Sequence, residues 1–234
     1  GARRVSLCPR AGAGILTTRR APAPTQSTAK DRAMATIEFF YDYSSPWTYF
    51  ASDRIEEFAA RNKATLVWKP FLVGGVFNKV NPSVYQRREN PIPPKDAYYK
   101  KDMADWARHL GLKIVRPSVF PVNSVKALRG AFVAIDEGTI SPYSKAVFQA
   151  YWRDDKDISQ DAVLRSIVQS VGMDADAFFA KITDDTVKRK LFATTDELIA
   201  RGGFGTPTFF IDRDDLYFGN DRFELMQSAL NRKK

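Results

Sequence analysis

Thr36–Tyr41 (Thr-Ile-Glu-Phe-Phe-Tyr) is a short aromatic and β-branched run, Pro46–Asn62 repeats apolar residues at helical spacing, and Ala64–Lys69 (Ala-Thr-Leu-Val-Trp-Lys) returns to strand character. A strand, a helix and a second strand in that order have one compact solution. The helix crosses back over the sheet, so the two strands run parallel and the connection is right-handed. The sequence therefore predicts a βαβ unit around which the rest must pack. On its helix Trp47, Phe50, Ala51, Ile55, Phe58 and Ala59 make the apolar face, and Asp53, Arg54, Glu57 and Arg61 are expected to point away.

Beyond the second strand, Phe71–Pro94 holds Gly74, Gly75, Asn78, Asn81 and four prolines, which predicts a long functional loop rather than regular elements. Lys95–Gly203 carries only helical signals. Tyr99, Met103, Trp106, Ala107 and Leu110 form a stripe before Gly111, Ser124 is expected to cap a helix to Glu137, and Ser141-Pro142 to open one through Trp152. Ser159 is expected to cap Gln160–Val171, Asp174 to start a short helix, and Asp184–Arg201 to run up to Gly202-Gly203. Pro207–Ile211 and Leu216–Phe218, joined by the turn Asp212–Asp215, then read as a β-hairpin, and Asp221–Asn231 as a closing helix capped by Asp221. The result is an α/β chain in which a helical block interrupts the sheet.

Composition removes several kinds of chemistry. The 234 residues, 44% hydrophobic, can bury a core without metal or disulfide staples. One cysteine, Cys8, excludes an intramolecular disulfide, a Cys-x-x-Cys pair and a thiolate zinc cluster; one histidine, His109, excludes histidine-rich metal sites, so no metal is expected. No apolar run approaches the roughly 18 residues of a spanning helix. The net charge of +9 is concentrated in residues 1–33, where seven bases face one acid, leaving +3 for the other 201 residues and no basic stripe suited to nucleic acid. That Arg- and Ala-rich head reads as a disordered extension upstream of the fold, with an organelle transit peptide as the alternative.

Three short motifs can carry chemistry, and each has a plainer reading. Ser45-Pro46 lies at a strand-to-helix turn, where free N–H groups and the helix dipole favour a negative charge; Ser followed by Pro is also simply a good helix start. Gly205-Thr206-Pro207 precedes a strand, and a cis Pro207 turns the Thr206 backbone outward to pair with a peptide, although proline is also allowed at the start of a strand. Gly219-Asn220-Asp221 could meet a zwitterionic ligand or be a glycine turn and an Asp cap. His109 reads as a surface residue, and Trp106 and Trp152 as core.

In an open α/β sheet such motifs converge beyond the carboxyl ends of parallel strands. Phe40-Tyr41-Asp42-Tyr43-Ser44-Ser45-Pro46-Trp47, the helical block, Phe204-Gly205-Thr206-Pro207-Thr208 and Phe218-Gly219-Asn220-Asp221-Arg222 together resemble the 2-hydroxychromene-2-carboxylate isomerase family. That family is close to kappa-class glutathione transferases and more distantly similar to DsbA-type oxidoreductases. The resemblance covers Met34–Leu230 and implies a thioredoxin-like domain from residues 34–72 and 190–234, interrupted by a helical insertion at 73–189.

The resemblance also implies a glutathione site. Ser45 falls on the catalytic serine, with Asp42 as the first residue of the motif and Ser44 a neighbour, and its hydroxyl is expected to meet the glutathione sulfur. Thr206, before a cis Pro207, is implied to pair with the glutathione backbone; Asn220 and Asp221 to hold its γ-glutamyl end; Trp47 to contact it from the first helical turn. Asn81 matches a glutathione-binding asparagine, with Asn78 competing. Phe120-Pro121-Val122-Asn123 resembles the loop lining the acceptor side, so Phe120 and Asn123 are expected substrate contacts. Trp47, Phe77 and Phe120 suit a flat aromatic carboxylate, with Lys79 or Arg116 as partners for its charge.

The implied reaction adds the glutathione thiolate to a ring-opened conjugated ketone, allows bond rotation and expels the thiolate, regenerating glutathione. A kappa-like transferase or peroxidase, which consumes glutathione, is the alternative. A disulfide oxidoreductase is disfavoured because Ser45 and Thr48 stand where two cysteines would be needed, and a non-catalytic binding module remains a further class. A homodimer is implied by the resemblance, and a cytoplasmic location is expected, or a mitochondrial one if residues 1–33 are a transit peptide.

Overall fold

In the computed structural model, residues 34–232 are described, and the basic head at 1–33 lies outside them. β1 (Thr36–Tyr41), α1 (Pro46–Arg61) and β2 (Thr65–Pro70) form the expected βαβ unit, the strands parallel with Thr36 opposite Thr65 and Tyr41 opposite Pro70. β3 (Thr208–Ile211) pairs antiparallel with β1, and β4 (Asp215–Phe218) antiparallel with β3, giving the sheet order β2-β1-β3-β4. β1 thus has a strand on each side and is almost wholly buried. Alternation then divides its side chains between two cores. Ile37, Phe39 and Tyr41 join the larger one with Phe50, Ile55 and Phe58 of α1, while Phe40 joins Phe71, Val76, Leu198 and Phe210 on the opposite face.

The smaller core has an ionic lid. Glu38 lies two residues from Phe40 and hence on its face; its carboxylate pairs with Arg201 and, at 3.5 Å, with Lys69. Arg201 also bonds Glu197 at 2.7 Å, and its guanidinium lies 3.8 Å from the Phe210 ring centroid. Charge and aromatic surface are therefore covered by the same side chain.

The largest departure from the sequence reading is at Phe71–Pro94. Instead of a loop it forms α2 (Val73–Val80), α3 (Ser83–Glu89) and the start of α4 (Pro93–Leu110). The prolines sit where helices tolerate them, Pro82 at the N-cap of α3 and Pro93 in the first turn of α4. The start of α2 is capped by distant residues: Val73 N–H donates to Asp42 Oδ2 at 2.9 Å and Leu72 N–H to Thr195 Oγ1 at 3.0 Å. A Cβ at Gly75 would meet Thr195 Cγ2 at 3.2 Å, so that glycine serves close packing rather than helix breaking. Tertiary capping overrides local propensity here.

Next come α5 (Val125–Asp136), α6 (Ile140–Trp152), α7 (Asp161–Ser170), α8 (Ala175–Thr183), α9 (Asp185–Ala200) and, after the hairpin, α10 (Phe223–Arg232). Asp174 caps α8 through Ala177 N–H at 2.8 Å, and Asp184 caps α9 through Thr186 N–H at 2.6 Å. Three expected caps differ. At α5 Ser124 holds the N-cap position as expected, but Asn123 Oδ1 rather than the Ser124 hydroxyl accepts from Val125 N–H, at 3.1 Å. Ser159 does not cap α7, whose N-cap is Gln160; its hydroxyl accepts from Gln160 Nε2 at 3.2 Å instead. α10 opens at Arg222, whose carbonyl accepts from Met226 N–H at 2.9 Å, so Asp221 lies before the cap and pairs with Arg222 instead. A division of the chain at 189/190 falls inside α9. No helix among the described residues is long and apolar enough to cross a membrane.

Candidate active site

The turn between β1 and α1 is fastened by six hydrogen bonds. The Asp42 carboxylate, wholly buried, accepts from Ser44 N–H and Val73 N–H, each at 2.9 Å, and from the Ser124 hydroxyl. Burial raises its pKa, and these hydrogen bonds oppose the rise. Trp152 Nε1 donates to the Tyr43 carbonyl at 2.8 Å, while the Tyr43 hydroxyl meets Ser144 Oγ at 2.9 Å. From the opposite side, Asp42 N–H donates to Thr206 Oγ1 at 3.2 Å.

Ser45 stands at the end of this turn as the N-cap of α1, its Oγ accepting from Thr48 N–H at 3.3 Å. That bond uses a lone pair and leaves the hydroxyl proton without an acceptor among the described residues. Pro46 occupies the next position, and the N–H of Trp47 belongs to the first turn, where no intrahelical carbonyl is available. A donor hydroxyl and the positive end of a helix dipole thus share one point.

Thr206 is packed against that point. Its Oγ1 lies 2.8 Å from Thr48 Oγ1, and the Thr206–Pro207 peptide bond is cis, as the sequence led us to expect. The main-chain N–H and C=O of Thr206 have no partner among the described residues. Gly219 N–H donates to the Pro207 carbonyl at 3.0 Å, which brings the Gly219-Asn220-Asp221 turn beside the same loop. Glycine is required there, since φ is +110° and an added Cβ would fall 2.7 Å from Asp221 Oδ1. Asn220 is only 5% exposed, and its Nδ2 is a buried donor without an acceptor. Ser45, Thr206, Pro207, Asn220 and Asp221, taken from three separate motifs, are therefore linked through short contacts.

Asn81 ends α2, and its Nδ2 donates to the Phe204 carbonyl at 3.2 Å, joining it to the loop that carries Thr206. Asn78 instead accepts from the Tyr85 hydroxyl at 2.8 Å. Trp47 is half-buried, its ring edge-to-face with Tyr99 of α4 at 5.4 Å. Phe120 is 45% exposed, packs its edge on Trp152 at 6.3 Å, and precedes a second cis proline, Pro121. Asn123 spends its Oδ1 on the α5 start, and its amide nitrogen has no partner among the described residues.

Two arginines escaped the sequence reading. Arg54 does not point away: it is half-buried, with its guanidinium 4.2 Å from the Phe223 ring centroid and 5.2 Å from that of Trp106, and it donates to the Asn220 carbonyl. Burial lowers its pKa, and Asp53 and Asp221 oppose the fall. A cation at a polar helical position gives no signal of this in one dimension; only the docking of the 220 turn reveals it. The second, Arg88 of α3, lies 6.0 Å from the Phe77 ring centroid and 5.6 Å from that of Phe120. Lys79, expected as a charge partner for substrate, is paired with Asp196 at 2.6 Å.

Comparison with known proteins places this geometry in context. A 2-hydroxychromene-2-carboxylate isomerase from Pseudomonas putida is 26% identical over 199 residues, covering 84% of this chain and 94% of its own. Glutathione S-transferase kappa 1 from Homo sapiens is 24% identical over 213 residues, covering 85% and 92%. The solved structure of a 2-hydroxychromene-2-carboxylate isomerase superposes with a TM-score of 0.72 at 24% identity, covering 84% of this chain and 95% of that one. The DSBA-like thioredoxin domain model matches residues 36–231, and the sheet order and helical block follow that fold; the chain belongs to the DsbA-like thioredoxin family.

Proposed function

We propose that this chain is a glutathione-dependent isomerase of the 2-hydroxychromene-2-carboxylate isomerase type, interconverting 2-hydroxychromene-2-carboxylate and trans-o-hydroxybenzylidenepyruvate. The observation that carries the reading is the Ser45 hydroxyl, a free donor at the N-terminus of α1, next to a Thr206 backbone with both hydrogen-bonding groups unpaired. The peptide-like, zwitterionic shape of glutathione fits what surrounds them. Thr206 N–H and C=O would pair with its backbone as one strand pairs with another. Asn220 Nδ2 lacks an acceptor, which an α-carboxylate would supply, and Asp221 would take the ammonium. Asn81 and Trp47 would flank the chain of the tripeptide, with Phe120 and Asn123 on the acceptor side.

When bound, glutathione supplies a nucleophilic thiol that the reaction regenerates. Ser45 donates a hydrogen bond toward the sulfur, and the α1 dipole acts in the same sense, so both favour the thiolate and lower the thiol pKa. The folded part brings no thiol of its own, since residues 34–234 contain no cysteine. A kappa-like transferase would use the same site, and the human kappa relative covers as much of the chain as the isomerases do. Product analysis separates the two: a rearranged substrate with glutathione unchanged supports isomerisation, a stable conjugate supports transfer.

The test is calorimetric titration of the full chain with glutathione, beside Ser45→Ala and Asp221→Ala. Asp221→Ala should weaken binding about tenfold or more. Ser45→Ala should bind but lose the ultraviolet absorbance of the bound thiolate. Absence of binding at millimolar glutathione would overturn the proposal in favour of a binding module.

A further inference from the structure

We propose that Arg88, held between the rings of Phe77 and Phe120, is the residue that recognises the carboxylate of a planar aromatic substrate. This rests on the reading of the Ser45 site given above and adds to it the acceptor's binding determinant. Three observations carry it. Arg88 reaches from α3 to rings on two other segments, Phe77 on α2 and Phe120 on the loop before α5, at 6.0 and 5.6 Å. It forms no ion pair among the described residues, whereas Lys79 is committed to Asp196. It also sits on the Ser45 side of the molecule: Phe120 packs on Trp152, whose Nε1 donates to the Tyr43 carbonyl two residues before Ser45.

The chemistry of that arrangement is specific. An exposed guanidinium flanked by aromatic rings, with no hydrogen-bond or ion-pair partner among the described residues, has its N–H fork free, and that fork matches the two oxygens of a carboxylate. The rings provide flat apolar surface beside the cation, so an aryl group and its carboxylate can be bound together. An alkylammonium at the same position would offer neither plane nor fork. The carboxylate could belong to the acceptor or to the glycyl end of glutathione, and the aromatic flanks select the acceptor.

The experiment compares wild type, Arg88→Lys and Arg88→Met on a planar aromatic enone acid and on its methyl ester, with glutathione affinity measured separately by calorimetry. Binding of 2-hydroxycinnamate, an unreactive planar acid, is followed in parallel. Arg88→Met should raise KM for the acid about tenfold or more while leaving KM for the ester, kcat and glutathione affinity within about twofold. Arg88→Lys should recover only part of the loss. Equal effects on acid and ester, or no effect on either, overturn the inference with the isomerase reading intact. A selective loss of glutathione affinity assigns Arg88 to the glycyl carboxylate and also overturns it. If wild type turns over neither compound but binds 2-hydroxycinnamate through Arg88, the isomerase reading fails and the carboxylate site stands.

Discussion

The hydroxyls of Thr48 and Thr206 lie 2.8 Å apart, joining the first turn of α1 to the loop before β3 across 158 residues. Thr206 Oγ1 also accepts the N–H of Asp42, so one hydroxyl ties the helix start, the β1 turn and the proline loop together. Both side chains are buried, where an unpaired donor is costly. Thr206→Val keeps the shape and removes the acceptor. We expect it to lower stability by about 1–3 kcal/mol in urea unfolding, and a Thr48→Val, Thr206→Val double-mutant cycle to show a positive coupling. Strict additivity would argue against the link.

Arg54 should act as a positioning residue for the Asn220 turn. Its guanidinium donates to the Asn220 carbonyl from a slot between Trp106 and Phe223. Arg54→Met is expected to weaken glutathione binding about tenfold, with kcat at saturation less affected, and Arg54→Lys to restore part of the affinity. A loss of thermal stability with unchanged affinity in the folded fraction would assign Arg54 to packing alone.

The buried Asp42 sets a pH dependence of definite sign. Because burial raises its pKa above the unfolded value, the folded state holds the proton more tightly than the unfolded state. Stability from this group is therefore full below the unfolded pKa, about 4, and falls as pH rises through the interval up to the raised folded value. The stability of wild type minus that of Asp42→Asn, measured by denaturant titration at several pH values from about 4 to 7.5, should decline with rising pH. A difference that grows over that range would mean that Asp42 is stabilised as the anion.

Glu38, whose side chain is 10% exposed, is the hub of the ionic lid on the smaller core. Glu38→Gln removes one charge and leaves Lys69 and Arg201 facing each other with only Glu197 between them. A loss of about 2–4 kcal/mol is expected, smaller if Arg201 is replaced by Met at the same time, because two half-buried cations then no longer share the single carboxylate of Glu197. Thermal denaturation of the two variants gives the comparison.

The elements that sequence exposed are those whose signal is local. β1, α1 and β2 follow from periodicity, the hairpin from its turn, and α8 and α9 from Asp caps adjacent in the chain. α2 was invisible because its N-terminus is closed by Asp42 and Thr195, residues 31 and 123 positions from their partners. Ser45, Thr206 and Asn220 could be named because their motifs combine into a recognisable set, although each alone reads as a cap or a turn. Arg54 and Arg88 could not, since an arginine on a polar helical face looks the same whether it ends in water or on a ring. Their placement depends on the docking of distant segments.

The Asp42 carboxylate closes the turn at Ser44, opens the helix at Val73 and takes the hydroxyl of Ser124. The helical block is thus no removable ornament on a small thioredoxin-like protein. A shortened chain that rejoined the sheet without residues 73–124 would strip the turn of two of its clasps and leave a carboxyl group evolved for a dry interior at an open seam. Any attempt to reduce this protein to a minimal scaffold, or to graft its Ser45 turn onto another, must carry that three-way joint along with it.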